Sequence, residues 1–152
     1  MSGACAHDAV EALGKMGTKG AEFARDVANA VSDPDSTVSY RAIEALGKMG
    51  KAGAAHSKVL LNLLGQKSIE VRSMVEGALG LLGSVDEPTA RKVAALLKSE
   101  KDTVRTAALS ALCNMGSNGA EYAADVAAVL KSSLKDENDE TRLNAAYTLG
   151  QM

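Results

Sequence analysis

Two thiols and two imidazoles are the side chains of this chain best suited to chemistry, and their spacing decides whether they can act together. Cys5 stands two residues from His7, while His56 and Cys113 stand far from both. A zinc site needs a set of ligands at close, paired spacing, and a nucleophilic thiol needs a base brought beside it. Cys5 and His7 have no second pair, and neither histidine belongs to a set with zinc-ligand spacing. No metal site is expected, and both histidines read as surface residues. Cys5 falls on an apolar stripe and reads as a small buried hydrophobe.

The 14 glycines raise the question of a phosphate loop. No Gly-x-x-x-x-Gly-Lys-Ser/Thr run occurs, and the glycines follow a longer period instead. Neither catalytic residues nor a cofactor is expected. Glu11–Lys15 and Glu44–Lys48 are i, i+4 pairs in the favourable order, which support a helix without doing chemistry.

Composition narrows the class further. The formal net charge is −2, and no basic stripe is interleaved with aromatics, so nucleic-acid binding is not expected. No apolar run reaches the ~18 residues of a membrane span. No basic stretch followed by an apolar one marks a signal peptide. Two cysteines are too few for a disulfide framework. The chain therefore reads as soluble and intracellular, in a reducing compartment, whether cytoplasm or organelle stroma. Alanine appears 27 times, against one Phe, three Tyr and no Trp. That balance favours helices packed closely through small side chains over sheets.

Self-comparison supplies the elements. Glu11-Ala-Leu-Gly-Lys-Met-Gly17 recurs verbatim as Glu44 to Gly50, an offset of 33. The same offset leads to Ala78-Leu79-Gly80 and then to Ala111-Leu112-Cys113, and Thr148-Leu149-Gly150 follows after 37. Met16–Ala28 and Met115–Ala127 agree at nine of thirteen positions. A fixed period of this length marks a solenoid, in which each unit buries its apolar face against its neighbours.

Each period holds two helical patterns. The first, A, runs Ala24, Val27, Ala28, Val31, with copies from Ser57, Ala90 and Ala123. The second, B, runs Val38, Ala42, Ala45, Leu46, Met49, with copies from Val71 and Val104. Gly17, Gly50 and Gly116 are placed to close B helices in a left-handed cap. Ser32-Asp-Pro-Asp35 and Asp136-Glu-Asn-Asp139 offer N-cap oxygens to the next B helix. An insertion, Lys131-Ser-Ser-Leu134, predicts one extra turn on the last A helix, and Lys131 to Arg142 reads as a solvated loop. The single domain, residues 1–152, then divides into a half-repeat 1–17 and repeats 18–50, 51–83, 84–116 and 117–152, about nine helices in all. Gly14, Gly47, Gly80 and Gly150 lie inside B helices, where each costs ~1 kcal/mol relative to Ala. Close approach of the neighbouring B helix is the expected reason.

The motif Val71-Arg72 with Ala78-Leu79-Gly80, repeated as Val104-Arg105 with Ala111-Leu112, resembles HEAT-type repeats. It is closest to the HEAT-like class named after phycobilisome lyases. The resemblance covers the whole chain and departs at Ser39, where Arg is expected, and at Cys113, where Gly is expected. It implies an all-α right-handed superhelix of HEAT-like helical hairpins, with B helices on the concave side. It implies a non-enzymatic protein–protein interaction scaffold, an accessory subunit or segment of a larger assembly. A lyase-like or chromophore-handling role is the alternative it leaves open. The repeated His-Glu pairs of metal-dependent HEAT-like hydroxylases are absent, since His7 precedes Asp8 and His56 precedes Ser57.

The B positions equivalent to Tyr40, Arg41, Glu44 and Lys48 point away from the apolar stripe. In the next repeat they are Ser73, Met74, Gly77 and Leu81, and in the last Leu143, Asn144, Tyr147 and Gln151. Charge disappears from the middle of this ridge, and an apolar patch rimmed by polar groups marks an interaction site. The expected partner-binding residues are Tyr40, Arg41, Met74, Gly77, Leu81, Leu143 and Tyr147, with Met74, Leu81 and Tyr147 as anchors. The terminal B helices lack a neighbour on one side, so self-association, a partner at an end, or a longer parent chain is expected.

Overall fold

The computed structural model describes residues 3–66, 68–133 and 139–152, and every regular element among them is helical. Five B helices succeed one another: α1 (Gly3–Met16), α3 (Ser36–Lys48), α6 (Ile69–Val85), α8 (Asp102–Cys113) and α11 (Asp139–Gln151). The A layer consists of α2 (Ala24–Ala30), α5 (Ser57–Leu63), α7 (Glu87–Ala95) and α10 (Ala123–Ser133). Short turns of helix enter two of these, α4 (Lys51–Ala54) and α9 (Ser117–Ala120), and a 3₁₀ stretch at Gly17–Phe23 enters α2. The A/B alternation thus has nine positions, with the entry to several A helices broken into a separate turn.

The core follows the apolar stripes. Leu46, Met49, Leu79, Leu82, Leu112 and Met115 from the B helices are wholly buried against Leu60, Leu64, Val93 and Val126 of the A layer. Successive B helices touch along their length, whereas successive A helices meet only at short segments. The B layer is the more continuously stacked of the two, as the HEAT-like resemblance implies for its inner ridge.

Glycine sets the B spacing. A methyl built on Gly14 would stand 2.9 Å from the Ala45 Cβ, and one on Gly47 2.9 Å from the Ala78 Cα. At Gly80 the neighbour is the Asn114 Cβ, at 2.5 Å. Gly80 thus meets a residue one turn further along its partner helix than the corresponding glycines do. Gly150 has nothing within 4 Å. Close approach therefore explains three of the four intrahelical glycines.

The turns are held by defined bonds. Asp35 caps α3 by accepting from the Thr37 N–H at 2.9 Å, and Asp86 caps α7 by accepting from the Thr89 N–H at 3.0 Å. Gly50 and Gly116 have positive φ as expected, 59° and 58°, but their ψ values of −133° and −131° are not left-handed helical. They occupy the mirror-extended region that only glycine enters easily. Arg72 and Arg105 of the repeated motif donate to the carbonyls of Gln66 and Ser99, tying each B helix to the turn before it. Ser39, which replaces that arginine, donates to the Val31 carbonyl at 2.7 Å and makes an equivalent tie.

Two expectations are corrected. Cys5 is exposed, whereas its counterparts Val38 and Val104 are buried in later helices. His7, on the same helix, has its Nε2 accepting from the Arg41 Nε–H at 3.3 Å. The loop expected over Lys131 to Arg142 is the second: residues 131–133 continue α10, forming most of the extra turn, and residues 139–142 open α11; Leu134 and the cap at Asp136 lie outside the described residues.

Candidate functional site

The inner ridge carries three surroundings in succession. The first is an ion cluster on α1 and α3. Lys15 reaches Glu11 at 2.7 Å and Lys48 reaches Glu44 at 2.6 Å. Arg41 bridges the two helices, 3.6 Å from Glu11 and 3.2 Å from Glu44. The Lys15 hydrogen bond and charge, then Arg41, hold the Glu11 carboxyl below the ordinary range. The Lys48 bond does the same for Glu44. Three cations share two carboxylates in this cluster, so most of its charge is paired internally.

The second is an open, mainly apolar depression of about 650 Å³ between α3 and α6. Met74, Gly77, Ala78 and Leu81 form its apolar surface, with Glu44 and Lys48 on one rim and Asn114 on another. Gly77 leaves the space open, since a Cβ there would meet nothing within 4 Å. Met74 is half-buried against the core, but Leu81 is 52% exposed. Of the seven residues expected to bind a partner, Met74, Gly77 and Leu81 come together here.

The other four do not line this depression. Arg41 lines a smaller hollow in the ion cluster, and Tyr40 is half-buried beside it on α3. Leu143 and Tyr147 stand on α11, 71% and 62% exposed.

The third surrounding is a polar groove of about 320 Å³ between α6, α8 and α11, lined by Arg72, Glu76, Thr106, Ser110 and Asn144 among others. Burial raises the Glu76 carboxyl above its ordinary range, opposed by the Arg72 charge and a hydrogen bond from Ser110. The sequence reading missed this residue. Its signal was available, because Glu76 holds the position that Ile43 and Leu109 occupy in the core.

Among the described residues no cluster of three or more His, Cys, Asp or Glu could hold a metal, and no helix is long and apolar enough to cross a membrane.

Comparison with known proteins follows the same lines. A family model described as HEAT repeats matches residues 27–113. No curated protein matches the sequence. Among solved structures, an engineered protein superposes with a TM-score of 0.60 at 20% identity, covering 95% of this chain and 72% of that one. A second engineered protein gives 0.59 at 21% identity, with 95% and 43% covered. A designed armadillo repeat protein in complex with the peptide (KR)4 gives 0.59 at 17% identity, with 99% and 77% covered. At these identities the likeness is one of fold.

Proposed function

This chain belongs to the HEAT-repeat family, and we propose that it is a non-enzymatic scaffold that holds a protein partner on its inner B-helix ridge. The observation that carries this reading is the depression at Met74, Gly77 and Leu81. It is an apolar opening between the ion cluster and the polar groove, placed where a helix or extended segment crossing the B helices would rest an apolar side chain. Met74 adapts to the shape of what it meets, since its side chain is unbranched and polarisable. Leu143 and Tyr147 would extend the contact along the ridge, and Tyr40 and Arg41 would flank it. An armadillo repeat protein of similar fold is in complex with a peptide, which supports a repeat surface as a seat for an extended chain. Membership of a larger complex fits the same surface.

A Met74→Asp, Leu81→Asp double variant tests the reading. Affinity capture with the parent and the variant is compared after circular dichroism shows that both are folded. Loss of the partner captured by the parent supports the site; equal capture places the site elsewhere.

The finer assignment to the phycobilisome-lyase type of HEAT repeat, with its chromophore-handling role, rests on the repeated Val-Arg and Ala-Leu-Gly motif alone. A visible absorbance band in the purified protein would favour it over the scaffold.

A further inference from the structure

One carboxyl stands where the repeat places core aliphatics. Val10, Ile43 and Leu109 share a register on α1, α3 and α8, and all three are buried. At that register α6 carries Glu76, half-buried and lining the polar groove of about 320 Å³. Burial raises this carboxyl, and the Arg72 charge and the Ser110 hydrogen bond together do not offset it. A charge held at such a register costs stability. Residues that break the local pattern of a fold in this way concentrate at functional or strained sites. The rest of the lining fits a cation better than an anion. Glu76, Asp102 and Glu140 face the groove with one guanidinium, Arg72. Counting Arg105, which contacts Asp102 from outside the lining, carboxylates still outnumber guanidiniums three to two. Ile69, 71% exposed on the same lining, offers an apolar wall to the aliphatic stem of a long basic side chain.

The groove and the apolar depression adjoin, because Ser73 lines both. The depression opens between α3 and α6 and the groove between α6, α8 and α11, so a segment crossing α6 at Ser73 reaches both. We propose that the partner segment held on this ridge carries a lysine or arginine beside its apolar anchor, the anchor resting at Met74 and Leu81 and the cationic head group entering the groove at Glu76. This rests on the reading of the ridge as a partner surface and names the chemistry that the surface selects. A cation there supplies the compensation that burial withholds from the Glu76 carboxylate, through a charge-assisted hydrogen bond. An extended segment brings side chains to the same face every ~7 Å, so the two residues stand two or four apart in the partner.

An array of short synthetic peptides tests this with the full chain. Each peptide carries one Leu in a serine background, with Lys placed at each of several separations on either side. Matched sets replace Lys by norleucine, which keeps the aliphatic stem and removes the charge, or by Glu. Fluorescence anisotropy reads binding. The parent is expected to bind the Leu–Lys peptides of matching separation roughly tenfold or more tighter than their norleucine counterparts, with the Glu peptides weakest. Glu76→Gln, shown to be folded by circular dichroism, is expected to bind Lys and norleucine peptides alike while keeping the dependence on Leu. The Met74→Asp, Leu81→Asp variant should lose the dependence on Leu. Leu-dependent binding without a preference for Lys overturns the cation and leaves the ridge standing as a partner surface. A Lys preference that persists in Glu76→Gln overturns the assignment to Glu76. Absence of Leu-dependent binding to every peptide overturns both readings.

Discussion

Gly47 faces Ala78 so closely that a methyl group on Gly47 would stand 2.9 Å from the Ala78 Cα, a backbone atom that cannot swing aside. Gly150 occupies the same place in its repeat with nothing within 4 Å. The two positions therefore respond oppositely to added volume. Gly47→Leu should lower stability by roughly 1–3 kcal/mol through overpacking. Gly150→Ala should raise it by roughly 0.5–1 kcal/mol, because only helix propensity changes. Urea titration of dilute protein measures both; a Gly47→Leu variant as stable as the parent would remove the close-approach explanation.

Leu81 and Leu82 are adjacent in sequence and opposite in surroundings, one 52% exposed in the ridge depression and the other wholly buried. Leu82→Ala should cost roughly 2–5 kcal/mol as a core truncation. Leu81→Ser should change stability by no more than about 0.5 kcal/mol. Thermal melts of the two variants make the comparison, and a large loss in Leu81→Ser would show that the residue is structural.

Acid acts on this chain in two directions. Glu11 and Glu44 have carboxyls held below the unfolded range by Lys15, Lys48 and Arg41. Their contribution is present above that range and disappears as pH falls through their lowered values. Glu76 is raised by burial, so its contribution is full below the unfolded value of 4.5 and is lost as pH rises through its elevated one. Glu76→Gln should therefore be at least as stable as the parent at neutral pH. Its relative advantage should shrink or reverse below pH 4.5, the unfolded value. Denaturation at several pH values tests the sign, and a neutral-pH loss in Glu76→Gln would contradict it.

The thiols differ in access. Cys5 is exposed, while Cys113 is half-buried with its thiol raised by burial. Iodoacetamide should modify Cys5 first at neutral pH, because thiolate and access both govern the rate. Peptide mapping over a time course reads the order; faster modification of Cys113 would reverse the assignment.

The helical alternation was legible because the Val38–Met49 stripe and its copies repeat at a fixed period, and each copy buries the same face. The intrahelical glycines were legible for the same reason, as a costly residue retained at one register. The broken entries to the A helices were not, since a 3₁₀ turn at Gly17–Phe23 and a short helix at Lys51–Ala54 share one apolar pattern with a continuous helix. Cys5 departs from the pattern because periodicity reports which face a side chain shares, not what packs on that face. In the candidate site, Met74, Gly77 and Leu81 could be grouped from the helical wheel, which gives direction around a helix. The separation of Leu143 and Tyr147 from them depends on how far along the ridge each helix sits, and the wheel carries no such information. Glu76 is legible only as a charge at the core register of Ile43 and Leu109, a signal opposite in kind to an apolar residue on a polar ridge.

Glycine against alanine also has a mechanical consequence. Where α1, α3 and α6 meet backbone to backbone, no side chain lies between the axes that could rotate and give way, so that part of the ridge resists compression. Contact is sparsest between α6 and α8, where Gly80 meets Asn114 and Gly77 meets nothing. Asn114 stands on the rim of the depression that Met74 and Leu81 line, so the spacing of α6 and α8 sets one edge of its mouth. An occupant of the depression would touch α3, α6 and Asn114 at once, and so would tie three successive repeats together.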